Sequence, residues 1–79
     1  SIRRHADIPA RFQTLSAREK EVLQLVVEGR ANKVIALDLG LSERTVEVHR
    51  GNIMDKMSAQ SLAHLVRMHM IIQSGDRTP

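Results

Sequence analysis

The sequence predicts an all-α fold, a compact domain of four helices in which the second and third meet at a tight turn. Three observations lead there. Hydrophobic residues make up 42% of the 79, with one Phe and no Tyr or Trp, so the core is aliphatic and suits helices. Apolar positions recur at helical spacing, and no stretch alternates as a half-buried strand would. Residues that start and stop helices stand at the ends of each such stretch.

Residues 1–14 contain Pro9 and three arginines without a sustained apolar period, and they read as an interdomain linker or arm. The domain proper spans residues 15–73. Its first helix opens at Ser16-Ala17-Arg18-Glu19, a capping box in which the Ser16 hydroxyl accepts from an early backbone N–H and Glu19 reaches back. Leu15 stands before the cap as a hydrophobic staple. Val22, Leu23, Val26 and Val27 form the inward stripe, and Gly29 ends the helix in the left-handed conformation. A second helix, residues 33–39, is expected to be capped by Asn32, to bury Ile35, Ala36 and Leu39, and to stop at Gly40.

Ser42 opens a third helix, about residues 43–57, whose inward face is Val46, Ile53 and Met57 with His49 or Arg50 at the margin. After a break at Ser58, Ser61 caps a fourth helix over about 62–72, and residues 74–79 form a flexible tail. The fourth helix carries too many apolar residues for one narrow stripe. Leu62, Leu65, Val66 and Met68 are therefore candidates for a two-fold contact between two copies, against the plainer reading of a small domain exposing some methionines.

The most informative segment is 32–51. Two helices that cross steeply over a short connection need a small residue where they approach, a residue tolerant of positive φ in the turn, and apolar anchors on both inner faces. Ala36, Gly40 and Val46 meet those demands in order, with Ile35, Leu39 and Leu41 as further anchors. The pattern is that of a helix-turn-helix. A plain helical hairpin explains Gly40 and Ser42 but not the full spacing.

With its inner face committed, the third helix would enter a major groove by its N-terminal half. Glu43, Arg44, Glu47, Val48, Gly51 and Asn52 then point outward or toward the groove margin. Val48 is apolar among polar neighbours, poor for a solvated face but able to pack on a thymine methyl. Glu47 can accept from cytosine N4, and Arg44 or Arg50 can donate to guanine or phosphate oxygens, each against an ordinary solvated role. Thr45 near the helix start can help to hold a phosphate or simply support the cap. Lys33 and Lys56 are placed to flank the groove as phosphate contacts.

These residues resemble the LuxR-type, GerE-like helix-turn-helix family, and within it the output domains of FixJ- and NarL-like response regulators. The run Leu15-Ser16-Ala17-Arg18-Glu19, Val22-Leu23, Gly29, Asn32-Lys33, Ile35-Ala36, Leu39, Leu41-Ser42, Thr45-Val46-Glu47-Val48-His49, Ile53-Met54, Lys56-Met57 and Ser61 carries the likeness over residues 15 to about 70. The resemblance implies a four-helix domain whose third helix reads double-stranded DNA and whose fourth pairs two copies. It implies an N-terminal receiver domain, outside this chain, that controls access by phosphorylation. On the same ground Lys33, Thr45 and Lys56 would be phosphate contacts, while Glu47, Val48 and Gly51 would face bases. Relatives often carry a basic residue where Glu47 or Gly51 stands, and polar residues where Val34 and Leu37 stand. Gly51 costs about 0.5–1 kcal/mol relative to Ala inside a helix, so it either admits close approach to DNA or reflects neutral drift.

Twelve basic against nine acidic side chains, a net charge of +3 and a pI of 10.2 have the sign that suits a polyanion, a balance many ordinary domains share. Without cysteine there are no disulfides or thiolate metal sites. No apolar run is long enough to span a bilayer, and Ser1-Ile2-Arg3-Arg4-His5 lacks the apolar stretch of a signal peptide, so a cytoplasmic protein without membrane contact is expected. His64 and His69, five apart, fall on different helix faces, and His49 reads as a packed or hydrogen-bonding residue. No catalytic residue, metal or cofactor is expected. The rival class is a helical protein-interaction module docking on RNA polymerase or another regulatory partner through Val34, Leu37 and the fourth helix. An activator would use both surfaces.

Overall fold

The computed structural model describes the backbone of residues 2–75 and the side chains of residues 7–74. Five helices follow one another: α1 (Ile2–Gln13), α2 (Ala17–Val27), α3 (Asn32–Leu39), α4 (Glu43–Met57) and α5 (Leu62–Gly75). The all-α expectation holds, but the described residues form five helices rather than four. Of the expected tail, Ser74 and Gly75 belong to α5, and residues 76–79 lie outside the described part.

The additional helix is α1, in the segment read from sequence as a linker or arm. Pro9 sits inside it and removes one backbone donor, which is why the pattern alone does not suggest a helix. What holds it is packing. Ile8 is buried, Phe12 four residues on is half-buried, and α1 lies against α4 and α5. The Lys20 ammonium stands 4.8 Å from the Phe12 ring centroid, and Arg11 Nη1 donates to the Met57 carbonyl at 3.3 Å. That carbonyl belongs to the last turn of α4, where backbone acceptors lack intrahelical partners.

The other boundaries follow local chemistry. The Ser16/Glu19 capping box forms as expected: Glu19 N donates to Ser16 Oγ at 3.1 Å, and Ser16 N donates to Glu19 Oε1 at 2.8 Å. At the far end of α2, Gly29 takes φ +87°, Gly29 N donates to Val26 O, and Arg30 N donates to Leu25 O, a Schellman ending. Gly40 closes α3 with φ +68°. Ser58 closes α4 at φ +54°, where a residue with a Cβ is strained. The cap expected of Asn32 is not found. Ala31 is the N-cap of α3 without a side-chain hydrogen bond, and Asn32 is the first helical residue. At α5, Ser61 Oγ accepts from His64 N at 3.0 Å, and His64 Nδ1 accepts from Gln60 N at 3.0 Å.

One core joins all five helices: Val22, Leu23 and Val26 of α2, Ile35 and Ala36 of α3, Val46, Ile53 and Met57 of α4, Leu65 and Met68 of α5, with Ile8 and Leu15. Leu39 and Leu41 pack against it half-buried. α4 is the hub, touching α1, α2 and α3. Truncating Ile8 to Ala should cost about 2 kcal/mol, read as a lower urea midpoint with an unchanged slope. An unchanged midpoint would show that α1 is not part of the cooperative unit.

Candidate nucleic-acid interface

The α3–α4 corner is built by three residues. Gly40 adopts the left-handed conformation, Leu41 N donates back to Ala36 O at 2.9 Å, and Ser42 starts the next helix. Ser42 Oγ accepts from Thr45 N at 3.0 Å and donates to Thr45 Oγ1 at 2.9 Å. Thr45 is half-buried, and its hydroxyl is engaged in supporting the cap.

Val46, Ile53 and Met57 are buried, which sets the rotation of α4 about its own axis. The opposite face is free: Glu43, Arg44, Glu47, Val48, Gly51, Asn52 and Asp55 are exposed, Val48 to 56%. A Cβ added at Gly51 would meet nothing within 4 Å, so nothing inside the domain requires glycine there. On α3, Lys33 is exposed beside Leu37, which is 76% exposed, and Val34 is at the edge of exposure.

Four of the residues expected at contacts are placed differently. Arg50 is not on the outer face: it is half-buried, and Nη1 donates to Asn32 Oδ1 at 2.9 Å, tying α4 to the start of α3. Lys56 is bound to Glu19, Nζ to Oε1 at 2.8 Å, so it joins α4 to α2. Leu65 and Met68 are each 2% exposed and fill the core, which removes them from any contact between copies. The helical pattern of α5 allowed either face to be inward, and the core has taken this one. Leu62 is exposed and Val66 half-buried; Ala63 and Met70 share their side of the helix.

The sequence reading missed Asp55, although it follows Gly51 by four and Val48 by seven, on the same stripe. It also missed the Glu19–Lys56 and Asn32–Arg50 ties, which span 37 and 18 residues and leave no local signal. His49 is half-buried at the helix margin, with Nδ1 enclosed and without a hydrogen-bond partner among the described residues. Among the described residues, no three His, Asp or Glu side chains gather as a metal site, and no helix is long and apolar enough to cross a membrane.

A pair of packed helices joined at a left-handed glycine, with the second buried along one stripe and solvated along the other, defines a helix-turn-helix domain. Residues 13–69 match the family described as bacterial regulatory proteins, luxR family, and the chain belongs to it. This is the family that the sequence resembles from Leu15 onward. The chain is 66% identical over 62 residues to the transcriptional regulatory protein FixJ of Rhizobium meliloti (strain 1021), covering 78% of this chain and 30% of that protein. It is 49% identical over 77 residues to FixJ of Azorhizobium caulinodans, covering 94% of this chain and 36% of the relative. The chain thus spans about a third of the length of these relatives.

Among solved structures, response regulator StyR superposes with a TM-score of 0.80 at 46% identity, over 82% of this chain and 33% of StyR. The solution structure of the C-terminal transcriptional activator domain of FixJ from Sinorhizobium matches with a TM-score of 0.71 at 63% identity, over 82% of each chain. The matched proteins named here are regulators, and the family is not an enzymatic one.

Among the described residues, Glu19 is the one charged residue in the core, at 4% exposure. The hydrogen bond from Lys56, followed by the one from the Ser16 backbone N–H, holds its carboxyl below the ordinary value of 4.5, outweighing the opposing effect of burial. A carboxyl with a depressed folded-state pKa contributes stability that is present above its unfolded value and lost as pH falls through the lower folded one. Glu19→Ala should therefore destabilise the domain by about 2 kcal/mol at neutral pH and flatten the loss of stability below pH 4.5, as followed by thermal unfolding at stepped pH. A variant with an unaltered acid limb would exclude the pair as its cause.

Proposed function

We propose that this domain binds double-stranded DNA sequence-specifically in transcriptional regulation, with the N-terminal half of α4 in the major groove. The observation that carries the reading is the 56% exposure of Val48 in the middle of the solvated stripe of α4, opposite a face that is wholly committed to the core. A branched apolar side chain is poor there against water and suited to a thymine methyl. Arg44 donates to guanine or to a phosphate, Glu47 accepts from an amino group on a base edge, and Gly51 lets the backbone come close. Lys33 on α3 and the backbone at Thr45 meet phosphates.

The same reading makes the domain the output part of a longer, cytoplasmic response regulator with an N-terminal receiver. It is motivated by the relatives, of which the chain covers about a third. Two copies pair across the outer stripe of α5, Leu62, Ala63, Val66 and Met70, setting half-sites about one duplex turn apart. The second reading, docking on RNA polymerase or a regulatory partner, is favoured by Leu37, whose 76% exposure gives α3 an unpartnered apolar spot.

Salt separates the two readings. Affinity for DNA falls with a logarithmic slope near −0.9 per phosphate neutralised, whereas apolar docking barely responds. From duplexes selected out of a random pool, Val48→Ala should weaken binding about five-fold only where the contacted step carries thymine. Lys33→Ala should weaken all duplexes alike and reduce the salt slope by about 1. Equal loss on every sequence for Val48→Ala would defeat the assignment of α4 as the reading element.

A further inference from the structure

The charge of the reading stripe runs against its proposed ligand. At 100° per residue, Arg44, Glu47, Val48, Gly51 and Asp55 fall within one arc of α4, all of them exposed, with Glu43 at its edge. The other cations of α4 face elsewhere and are held there: Arg50 by Asn32 and Lys56 by Glu19. Within that arc the charges are Glu47 and Asp55 against Arg44 alone, although the chain as a whole carries a net charge of +3.

An ionised carboxylate only accepts hydrogen bonds. In the major groove the donors are the amino groups of cytosine and adenine, while guanine presents acceptors at N7 and O6. A carboxylate brought against acceptors or phosphates loses its water without gaining a partner. Asp55 lies eight residues beyond Glu47, about 12 Å along the helix axis, comparable to the width of the groove. With Glu47 among base edges, Asp55 stands at the level of the bordering phosphates.

Building on the DNA-binding reading above, we propose that Glu47 and Asp55 are specificity-determining residues that act as a charge filter. Asp55 lowers affinity for every duplex, and Glu47 lowers it wherever no base amino group answers it. Selectivity then arises from penalising the wrong sites as much as from attraction to the right one. Both side chains are exposed, so neutral replacements leave the fold intact, which circular dichroism checks.

The experiment compares the unaltered domain with Asp55→Asn, Glu47→Gln and, as a control off the stripe, Glu21→Gln on α2. Each is titrated with a duplex selected by the unaltered domain and with a scrambled duplex of the same composition, at one salt concentration. Asp55→Asn should tighten both duplexes by about five-fold. Glu47→Gln should tighten the scrambled duplex while losing ground on the selected one, so that the ratio of the two affinities drops about ten-fold. Glu21→Gln should change neither. If the unaltered domain discriminates but neither stripe variant tightens the scrambled duplex, or if Glu21→Gln tightens it equally, the filter is overturned and the DNA-binding reading stands. A domain that prefers no duplex over any other refutes the underlying reading and the filter together.

Discussion

Everything proposed for α4 depends on which way the helix is turned, and that rotation is set by three side chains. Val46, Ile53 and Met57 are buried against α2, α3 and α1, at 0%, 1% and 0% exposure. Each such residue contributes about 1.5–3 kcal/mol by leaving water, so turning the helix by a quarter would forfeit an amount comparable to the whole stability of a small domain. The outer stripe is therefore the consequence of the inner one. Arg44, Val48 and Gly51 face outward because the opposite side has no freedom to turn.

Rotation alone does not present a helix to a groove; its inclination matters too, and that comes from the ends of the helices. Gly40 supplies the positive φ that lets α3 stop and α4 begin within a few residues, and Ser42 then satisfies the Thr45 N–H left free by the new helix. Two polar ties brace the same crossing. Asn32 to Arg50 links the start of α3 to the middle of α4, and Glu19 to Lys56 links the start of α2 to the last turn of α4. Both are partly sheltered from water, where a charge-assisted hydrogen bond contributes more than an exposed ion pair.

These ties explain how far the site was legible beforehand. The stripe of Val46, Ile53 and Met57, the left-handed glycine at 40 and the caps at Ser16, Ser42 and Ser61 are local, and spacing within one helix is enough to find them. Arg50 and Lys56 looked free because their partners lie far along the chain, and sequence spacing carries no trace of a contact across two helices. α1 is obscured by Pro9, and among the described residues its anchors are Ile8 and Phe12, so its helical state rests on tertiary packing more than on pattern. Leu65 and Met68 were ambiguous for the opposite reason: α5 is apolar on more than one face, and only the rest of the core decides which face turns inward.

The arginine and lysine of α4 that lie off the proposed reading stripe, Arg50 and Lys56, are not without effect. Placed inside the crossing, they brace the element that carries the stripe, and they add no positive charge to it. Cations on a reading helix raise affinity for any duplex, since phosphates are everywhere along it. On the proposed reading, holding Arg50 and Lys56 in internal ties shifts the balance from general attraction toward dependence on the base edges, while the helix proposed to discriminate is held more firmly in place. In this domain the braces of the fold and the charge pattern of its proposed reading surface are two results of the same placement of side chains.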